Sequence, residues 1–346
     1  MDDRRVREIL DREEAAWIVG GAVRDALLGK PVLDLDVACR DPRAAARRYA
    51  QRFGGAPFPL SERHGAWRVV EAGPGETVDF TPLPDDIEDD LATRDFTFNA
   101  IAVPVGGGDP CDPHGGRADL QAGVIRAVSP AIFESDPLRL LRAVRFEEEL
   151  AFRMDERTEE LARAAAALVA RPAGERILAE LRRLSSAGFR RLHELGLLEP
   201  LGGSLDGPVD AVDDSDFRLV AVFGERLRSL PISNEHRRYA RVLLHAEPPV
   251  DSSPRAIHRF RRATEPWALD ALSFVGSSQL AGIVEEARRA DHSEPLVRGD
   301  ELGLAPGPEI GRILAAIDEE RAVGTISTRD EALALARRLA ASEAPS

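Results

Sequence analysis

Met1 to Ala16 is charged, with Val6, Ile9 and Leu10 at helical spacing, and leads into a short apolar run, Ala15 to Val19, that closes on Gly20-Gly21. Helical spacing resumes at Ala22, Val23, Ala26, Leu27 and Leu28 and stops at Gly29. The pattern predicts a helix, a strand, a tight glycine turn and a short second helix. Val32 to Ala38 then alternates with carboxylates on one side, which predicts a half-buried strand. Further strands are expected at Trp67 to Glu71, Thr77 to Thr81 and Ala100 to Val105, so residues 1 to about 125 read as a mixed α/β unit. From Pro130 onward, Ala-, Leu-, Arg- and Glu-rich stretches with almost no strand signal predict stacked helices. Pro and Gly clusters break that half at Leu201 to Val209, Glu247 to Arg255 and Ala305 to Glu309. No internal repeat is visible, and the polar end, Ser342 to Ser346, is expected to fray beyond the last helical stretch, Glu309 to Ala341.

Composition narrows the classes. The 346 residues are 43% hydrophobic and 5% aromatic, enough for a sizeable core in two or more domains. With 46 Lys plus Arg against 60 Asp plus Glu the formal charge is -14, so the molecule as a whole repels polyanions and any nucleic-acid contact must use a local patch. Two cysteines, Cys39 and Cys111, suit neither a disulfide framework nor a four-ligand zinc site. With no signal sequence, the expectation is a reduced, intracellular, cytoplasmic protein. No apolar run nears the roughly 20 residues of a membrane span, so no membrane partner is expected. Lys30 is the only lysine, so an arginine here is weak evidence on its own for a planar-fork contact.

The sharpest local feature is Asp34-Leu35-Asp36. On a strand the period of two puts both carboxylates on one face, where they repel unless a proton or divalent cation lies between them. Magnesium suits such a pair, with substrate phosphate and water completing its oxygens, although a lone D-x-D is also a common exposed strand face. Gly20-Gly21-Ala22-Val23-Arg24-Asp25, just upstream, changes the balance. A double glycine opening a helix lets backbone N–H groups approach a phosphate, and Arg24 adds a full charge. The segment is neither a dinucleotide fingerprint nor a P-loop, since G-x-G-x-x-G is absent and Gly29-Lys30 is followed by Pro31. Together these features suggest a triphosphate-plus-metal site. Asp79 completes the metal cluster if its strand lies beside the D-x-D strand, and is otherwise a polar strand position.

In Arg94-Asp95-Phe96-Thr97-Phe98-Asn99-Ala100 the phenylalanines alternate with polar residues entering a strand. Asp95 and Asn99 are candidates for a ribose hydroxyl and Arg94 for phosphate. Asp112 to Arg117 reads as a turn that ends the α/β unit. Ser135 or Asp136 caps a helix with Pro137 in its first turn. Along it Arg139, Arg142 and Arg145 recur on one face, with Leu138, Leu141 and Val144 on another. Such a stripe is a solvated face or a phosphate site, and the few salt partners expected near it favour phosphate. Asp136 and Arg139, one turn apart, offer an acceptor pair and a donor fork that suit the Watson–Crick edge of a base.

These residues resemble the class II tRNA nucleotidyltransferases and bacterial poly(A) polymerases, the CCA-adding group of the polymerase β superfamily. The resemblance covers roughly residues 17 to 200 and rests on five motifs in order: GGAVRD with LDLD, RDFTFNA, DPHGGR, DPLRLLRAVRF and GERILAEL. It implies an α/β nucleotidyltransferase (palm-like) head at residues 1–128, then all-α neck (129–200), body (201–262) and tail (263–346) domains, the tail binding tRNA. It implies that Asp34 and Asp36 bind two catalytic Mg2+ ions; Asp79 stays a catalytic candidate on its strand position alone. By the same resemblance Gly21, Arg24, Arg142 and Arg145 hold triphosphate, Arg94, Asp95 and Asn99 lie at the ribose, and Asp136 with Arg139 selects the base; Gly20 is a nucleotide-binding candidate from the glycine turn itself. Glu175 to Leu181 corresponds to a mostly structural stretch. The substrates implied are tRNA with CTP, and with ATP where the terminal A is added.

Two departures from the family pattern matter. Thr93 stands where relatives usually have Arg. The interval from Asp79 to Arg94 is too short for the flexible loop that helps A-adding members switch from CTP to ATP, and such shortening is associated with the CC-adding subclass, whose hosts use a separate A-adding enzyme. The expectation is therefore CMP addition with weak or absent AMP addition; the other readings are a full CCA-adding enzyme, a poly(A) polymerase, or an inactive RNA-binding relative. No phosphohydrolase domain is expected, because His193, His236, His245, His258 and His292 lack an adjacent His-Asp pair and read as surface or packing residues. Candidates for RNA contact are Arg182, Arg183, Arg190 and Arg191, with His258, Arg259, Arg261 and Arg262 further on.

Overall fold

A computed structural model describes residues 4–10, 15–32, 34–61, 65–70, 77–83, 85–291 and 294–341. The expected frayed end, Ser342 to Ser346, lies outside the described residues, as do Glu71 and His292. The chain forms two compact units, Met1–Leu201 and Gly202–Ser346.

The first unit opens with α1 (Arg4–Leu10), β1 (Ala16–Val19), α2 (Gly21–Leu27), β2 (Asp34–Cys39) and α3 (Pro42–Phe53). There follow β3 (Ala56–Ser61), β4 (Ala66–Val70), β5 (Thr77–Pro82), α4 (Ile87–Ala92) and β6 (Ala102–Pro104). The six strands form one mixed sheet in the order β3-β4-β5-β2-β1-β6. β2 runs parallel to β5, with Asp36 opposite Asp79, and antiparallel to β1, with Asp36 opposite Val19. The period of two sends Leu35 and Val37 to the opposite face from Asp34 and Asp36, and both are buried.

The hydrophobic pattern does not reveal α3 or β3. In α3 arginines interrupt the apolar run, and the helix is set by the Asp41 side chain accepting from Ala44 N–H, by Pro42 in its first turn, and by Ala45, Ala46 and Tyr49 buried on one side. Tyr49 meets Phe80 of β5 with ring centroids 6.0 Å apart. β3 carries two prolines, Pro57 and Pro59, which an edge strand tolerates and an interior one does not.

The strand expected from Ala100 starts later, at Ala102, because Thr97–Asn99 is a 3-10 turn rather than a strand entry. Its polar residues do not alternate outward: Asp95, Thr97 and Asn99 are all buried beside Phe96 and Phe98. Asp112 to Arg117 does more than end the unit. The Asp112 carboxylate accepts from Gly116 and Arg117 N–H, and a Cβ at Gly116 would lie 2.1 Å from the Thr97 carbonyl oxygen. The turn thus presses α5 (Gly116–Ala122) onto the 3-10 segment, and Thr97 Oγ1 donates to Asp119 at 2.7 Å.

The remainder of this unit comprises β7 (Val124–Ile125), α6 (Ile132–Ser135), α7 (Leu138–Leu150), β8 (Arg153–Met154), α8 (Glu156–Ala164), α9 (Gly174–Leu181) and α10 (Ser186–Glu194). β7 and β8 pair in parallel, a short strand contact inside a stretch whose composition is helical. α7 buries Leu138, Leu140, Leu141, Ala143, Val144 and Phe146. Phe146 meets Phe96 and Phe98 edge-on at 5.9 and 5.3 Å, which locks α7 to the 3-10 segment by aromatic packing. The regular elements of the second unit's described residues are all helical: α11 (Ser215–Phe223), α12 (Asn234–Leu244), α13 (Pro254–Thr264), α14 (Ala268–Phe274), α15 (Ala281–Arg289), α16 (Pro308–Val323) and α17 (Arg329–Ala341), with short 3-10 turns between some of them. No described helix is long and apolar enough to cross a membrane.

Candidate active site

Strand register assembles the carboxylates. Asp34 and Asp36 share a face of β2, and Asp79 of β5 lies directly opposite Asp36. Asp79 is not left open to a cation, because Arg68 of β4 donates to both of its oxygens at 2.6 Å. Among the described residues no group of three or more His, Cys, Asp or Glu side chains is arranged to hold a metal. The expected three-carboxylate cluster is therefore reduced to the Asp34–Asp36 pair, with Asp79 beside it as the partner of Arg68. Thr77 Oγ1 donates to Asp34 at 2.6 Å. The Asp36 carboxyl is pushed up to about 6, first by burial and then by the neighbouring Asp79 and Asp34 carboxylates, against the opposing pull of Arg94. A carboxylate pair whose charge is that strained, with oxygen donors only, suits a hard divalent cation such as Mg2+.

The glycine turn leaves room in front of these oxygens. Gly20 has φ 70°, and a Cβ there would sit 3.2 Å from Asp36 Oδ2 and 3.1 Å from Arg94 Nη1. Beyond it opens a cavity of about 630 Å3 lined by Gly20, Gly21, Arg24, Asp36, Arg94, Asp95, Asn99, Asp136, Arg139, Arg142 and Arg145. Eleven residues scattered over three sequence motifs thus face one space large enough for a nucleotide.

Each cationic group is held by an acceptor. Arg24 donates to Asp25 at 2.8 and 2.9 Å and to Asn99 Oδ1 at 3.0 Å. Arg94 pairs with Asp90 at 2.7 Å, and Arg142 with Asp95 at 2.6 Å. Burial pushes the Asp95 carboxyl up, but Arg142 and hydrogen bonds from Asn99 Nδ2 and Phe96 N–H outweigh it and hold the group below the ordinary carboxylate range. Arg145, with its side chain only 5% exposed, bonds Glu180 of α9 and Glu149, each at 2.6 Å. The arginine stripe of α7 is therefore rich in salt partners, contrary to the sequence expectation, because Asp95 and Glu180 reach it from segments distant in sequence. Phe146 lies beneath, its ring 5.3, 5.4 and 4.3 Å from the guanidinium carbons of Arg24, Arg142 and Arg145.

Asp136 and Arg139 both line the cavity; Arg139 N–H donates to the Asp136 carbonyl at 3.0 Å, while their side chains bond other groups. Asp136 accepts from Leu138 N–H at 3.2 Å and from Arg176 at 2.7 Å. Arg139 donates to the Thr93 carbonyl at 2.6 Å and to Ser135 Oγ at 3.2 Å. Burial pulls the Arg139 guanidinium down from its ordinary range, with Asp95 and Asp136 opposing. Sequence reasoning missed Arg68 and Arg176. The one signal for Arg68 is a lone cation in a strand candidate next to acidic strands; Arg176 sits in a stretch read as structural. Lys30 Nζ lies at 3.5 Å from the Glu149 carbonyl oxygen, beside the same cavity wall.

The arginines considered for RNA are engaged within the protein. Arg183, on the cavity rim, pairs with Glu149 at 2.6 Å, and Arg191 bonds Glu147 at 2.8 Å and Glu159 at 2.5 Å. Arg182 and Arg190 also have partners. In the second unit Arg259 bonds Glu319 at 2.7 Å, Arg261 bonds Glu265 and Asp291, and Arg262 lies 3.8 Å from Asp318. His258 is pulled down by burial first and by Arg262 next.

The chain is similar to several known proteins. The family model for the poly(A) polymerase head domain matches residues 16–83 and 68–126. The A-adding tRNA nucleotidyltransferase of Deinococcus radiodurans is 32% identical, with 94% of this chain aligned to 95% of that protein. The CC-adding tRNA nucleotidyltransferase of Geobacter sulfurreducens is 49% identical over 175 residues, which span 49% of this chain and 40% of that protein. Among solved structures, the Thermotoga maritima CCA-adding enzyme complexed with tRNA is 22% identical and superposes with a TM-score of 0.77 over 98% of this chain and 94% of that one, a likeness of fold.

Proposed function

The chain belongs to the tRNA nucleotidyltransferase family, and from that premise we propose that it is a CC-adding enzyme, transferring CMP from CTP to the 3′ end of tRNA without a nucleic-acid template. The support for CC rather than CCA is the connection between β5 and α4, which spans only residues 83–86 and leaves no length for a specificity-switching loop. The relatives' own names differ, one CC-adding and one A-adding, so they do not choose between these outcomes.

In this reading Asp34 and Asp36 would hold Mg2+ through their carboxylate oxygens. When bound, the ion lowers the pKa of the attacking 3′-hydroxyl and offsets charge on the leaving pyrophosphate. The chain's own residues do the rest. Gly20, lacking a Cβ, keeps the approach to Asp36 open. Arg24, Arg94 and Arg142, each pre-paired with an acceptor, present fixed positive charge to the triphosphate and need little reorganisation when it arrives. Asp95 and Asn99 meet the ribose. Asp136 accepts from the cytosine amino group while Arg139 donates to the ring nitrogen and carbonyl, a protein substitute for the Watson–Crick edge. Arg145, wrapped by Glu149 and Glu180, acts as a positioning residue for α7.

The test supplies tRNA ending at the discriminator base with Mg2+ and CTP, ATP or both, and resolves products by single nucleotides. Growth by two residues with CTP, and no third residue when ATP is added, is the expected result. A third residue refutes the CC assignment, and addition only onto ends that already carry CC marks an A-adding enzyme. Asp36→Ala is expected to give no product while keeping the fold.

A further inference from the structure

The sheet face that carries Asp34, Asp36 and Asp79 continues past them. β5 pairs with β4 so that Asp79 lies opposite Arg68 and Thr77 opposite Val70; β4 pairs with β3 so that Arg68 lies opposite Phe58 and Val70 opposite Ala56. Directly opposed residues project to the same face, so one row runs Asp36, Asp79, Arg68, Phe58 across four adjacent strands. The opposite face is covered by α3, whose Arg43 and Arg47 lie over Trp67. On the catalytic face Phe58 is 41% and Val70 38% exposed, with Leu60, at the β3 bulge, 45% exposed. Apolar side chains grouped this way call for an occupant. Strand addition is disfavoured, because Pro57 and Pro59 deprive β3 of N–H donors.

The nucleotide cavity is lined from α2, from Asp36 of β2 and Thr81 of β5, and from α7, while no residue of β3 or β4 lines it. The β4 and β3 part of the same sheet face is therefore left for the RNA whose hydroxyl meets that nucleotide at the carboxylates. Phe58 stands three strand spacings from Asp36, about 14 Å, within reach of the last few nucleotides of an unpaired RNA end. We propose that Phe58, with Val70 beside it, is a stacking platform for an unpaired base near the 3′ end of the RNA acceptor. An aromatic face suits this because every base has a π-face, so the platform holds the end without reading its sequence. The inference rests on the RNA-nucleotidyl-transfer reading above.

The experiment measures the dissociation constant of a fluorescent tRNA transcript ending at the discriminator base, and KM for RNA and for CTP, in the wild type, Phe58→Ala and Phe58→Trp. Phe58→Ala is expected to weaken RNA binding and raise the RNA KM by about 5- to 100-fold, with the CTP KM unchanged and Phe58→Trp close to wild type. An abasic residue scanned over the last three positions should cost the wild type a similar factor at one of them and cost Phe58→Ala nothing there. Equal affinity of wild type and Phe58→Ala for intact RNA overturns the platform. Binding needs no turnover, so a wild type that binds RNA but transfers no nucleotide refutes the functional reading while the Phe58 comparison still decides this one.

Discussion

Asp95 shows how much of this site depends on a single protonation state. It is buried, accepts from Arg142, Asn99 and Phe96 N–H, and is held below the ordinary carboxylate range. A depressed folded pKa contributes stability above the unfolded value, about 3.9, that is lost as pH falls through the lower folded one. Asp95→Asn should therefore cost about 1–3 kcal/mol near neutral pH, and the gap to wild type should narrow only below about pH 4, as read by urea melts across pH. Gly20 is the complementary case, where a missing atom matters: Gly20→Ala forces a side chain at φ 70° against Asp36 Oδ2, and kcat/KM for CTP should fall by at least about tenfold. The site's local groups, the D-x-D pair, the glycine turn and the arginine spacing, were legible because they lie within a few residues of one another. Arg68 and Arg176 were not, because their meaning comes from partners 11 and 40 residues away.

At the scale of elements, the hydrophobic pattern showed those whose period is clean, as in β2, and missed those where prolines or arginines break it, as in the strand β3 and the helix α3. The RDFTFNA segment misled in a specific way. Its alternation mimics a strand, but Asp95 captures Phe96 N–H and Asn99 and bends the chain into a 3-10 turn. That turn is held from outside by α5, whose Gly116 has no space for a methyl. Gly116→Ala should destabilise the first unit by about 1–3 kcal/mol, seen as a lower urea midpoint with an unchanged slope.

For the whole molecule, a charge of -14 opposes a polyanion, and many of the arginines are paired with the protein's own carboxylates. Arg261, bonded to Glu265 and Asp291, is one of them. Arg261→Ala should lower Tm and leave the slope of log K against log salt for tRNA binding unchanged, whereas loss of a true contact to single-stranded phosphate flattens it by about 0.7. Arginine counts in the sequence cannot separate these cases; carboxylates placed around each guanidinium do.

The scarcity of lysine has a practical side. Lys30 is the only side-chain amine in the chain, it is exposed, and it reaches toward Glu149 at the cavity wall. One amine-reactive dye therefore marks a single side chain a short distance from where the nucleotide is expected to settle, a built-in optical handle on substrate arrival that requires no engineered cysteine.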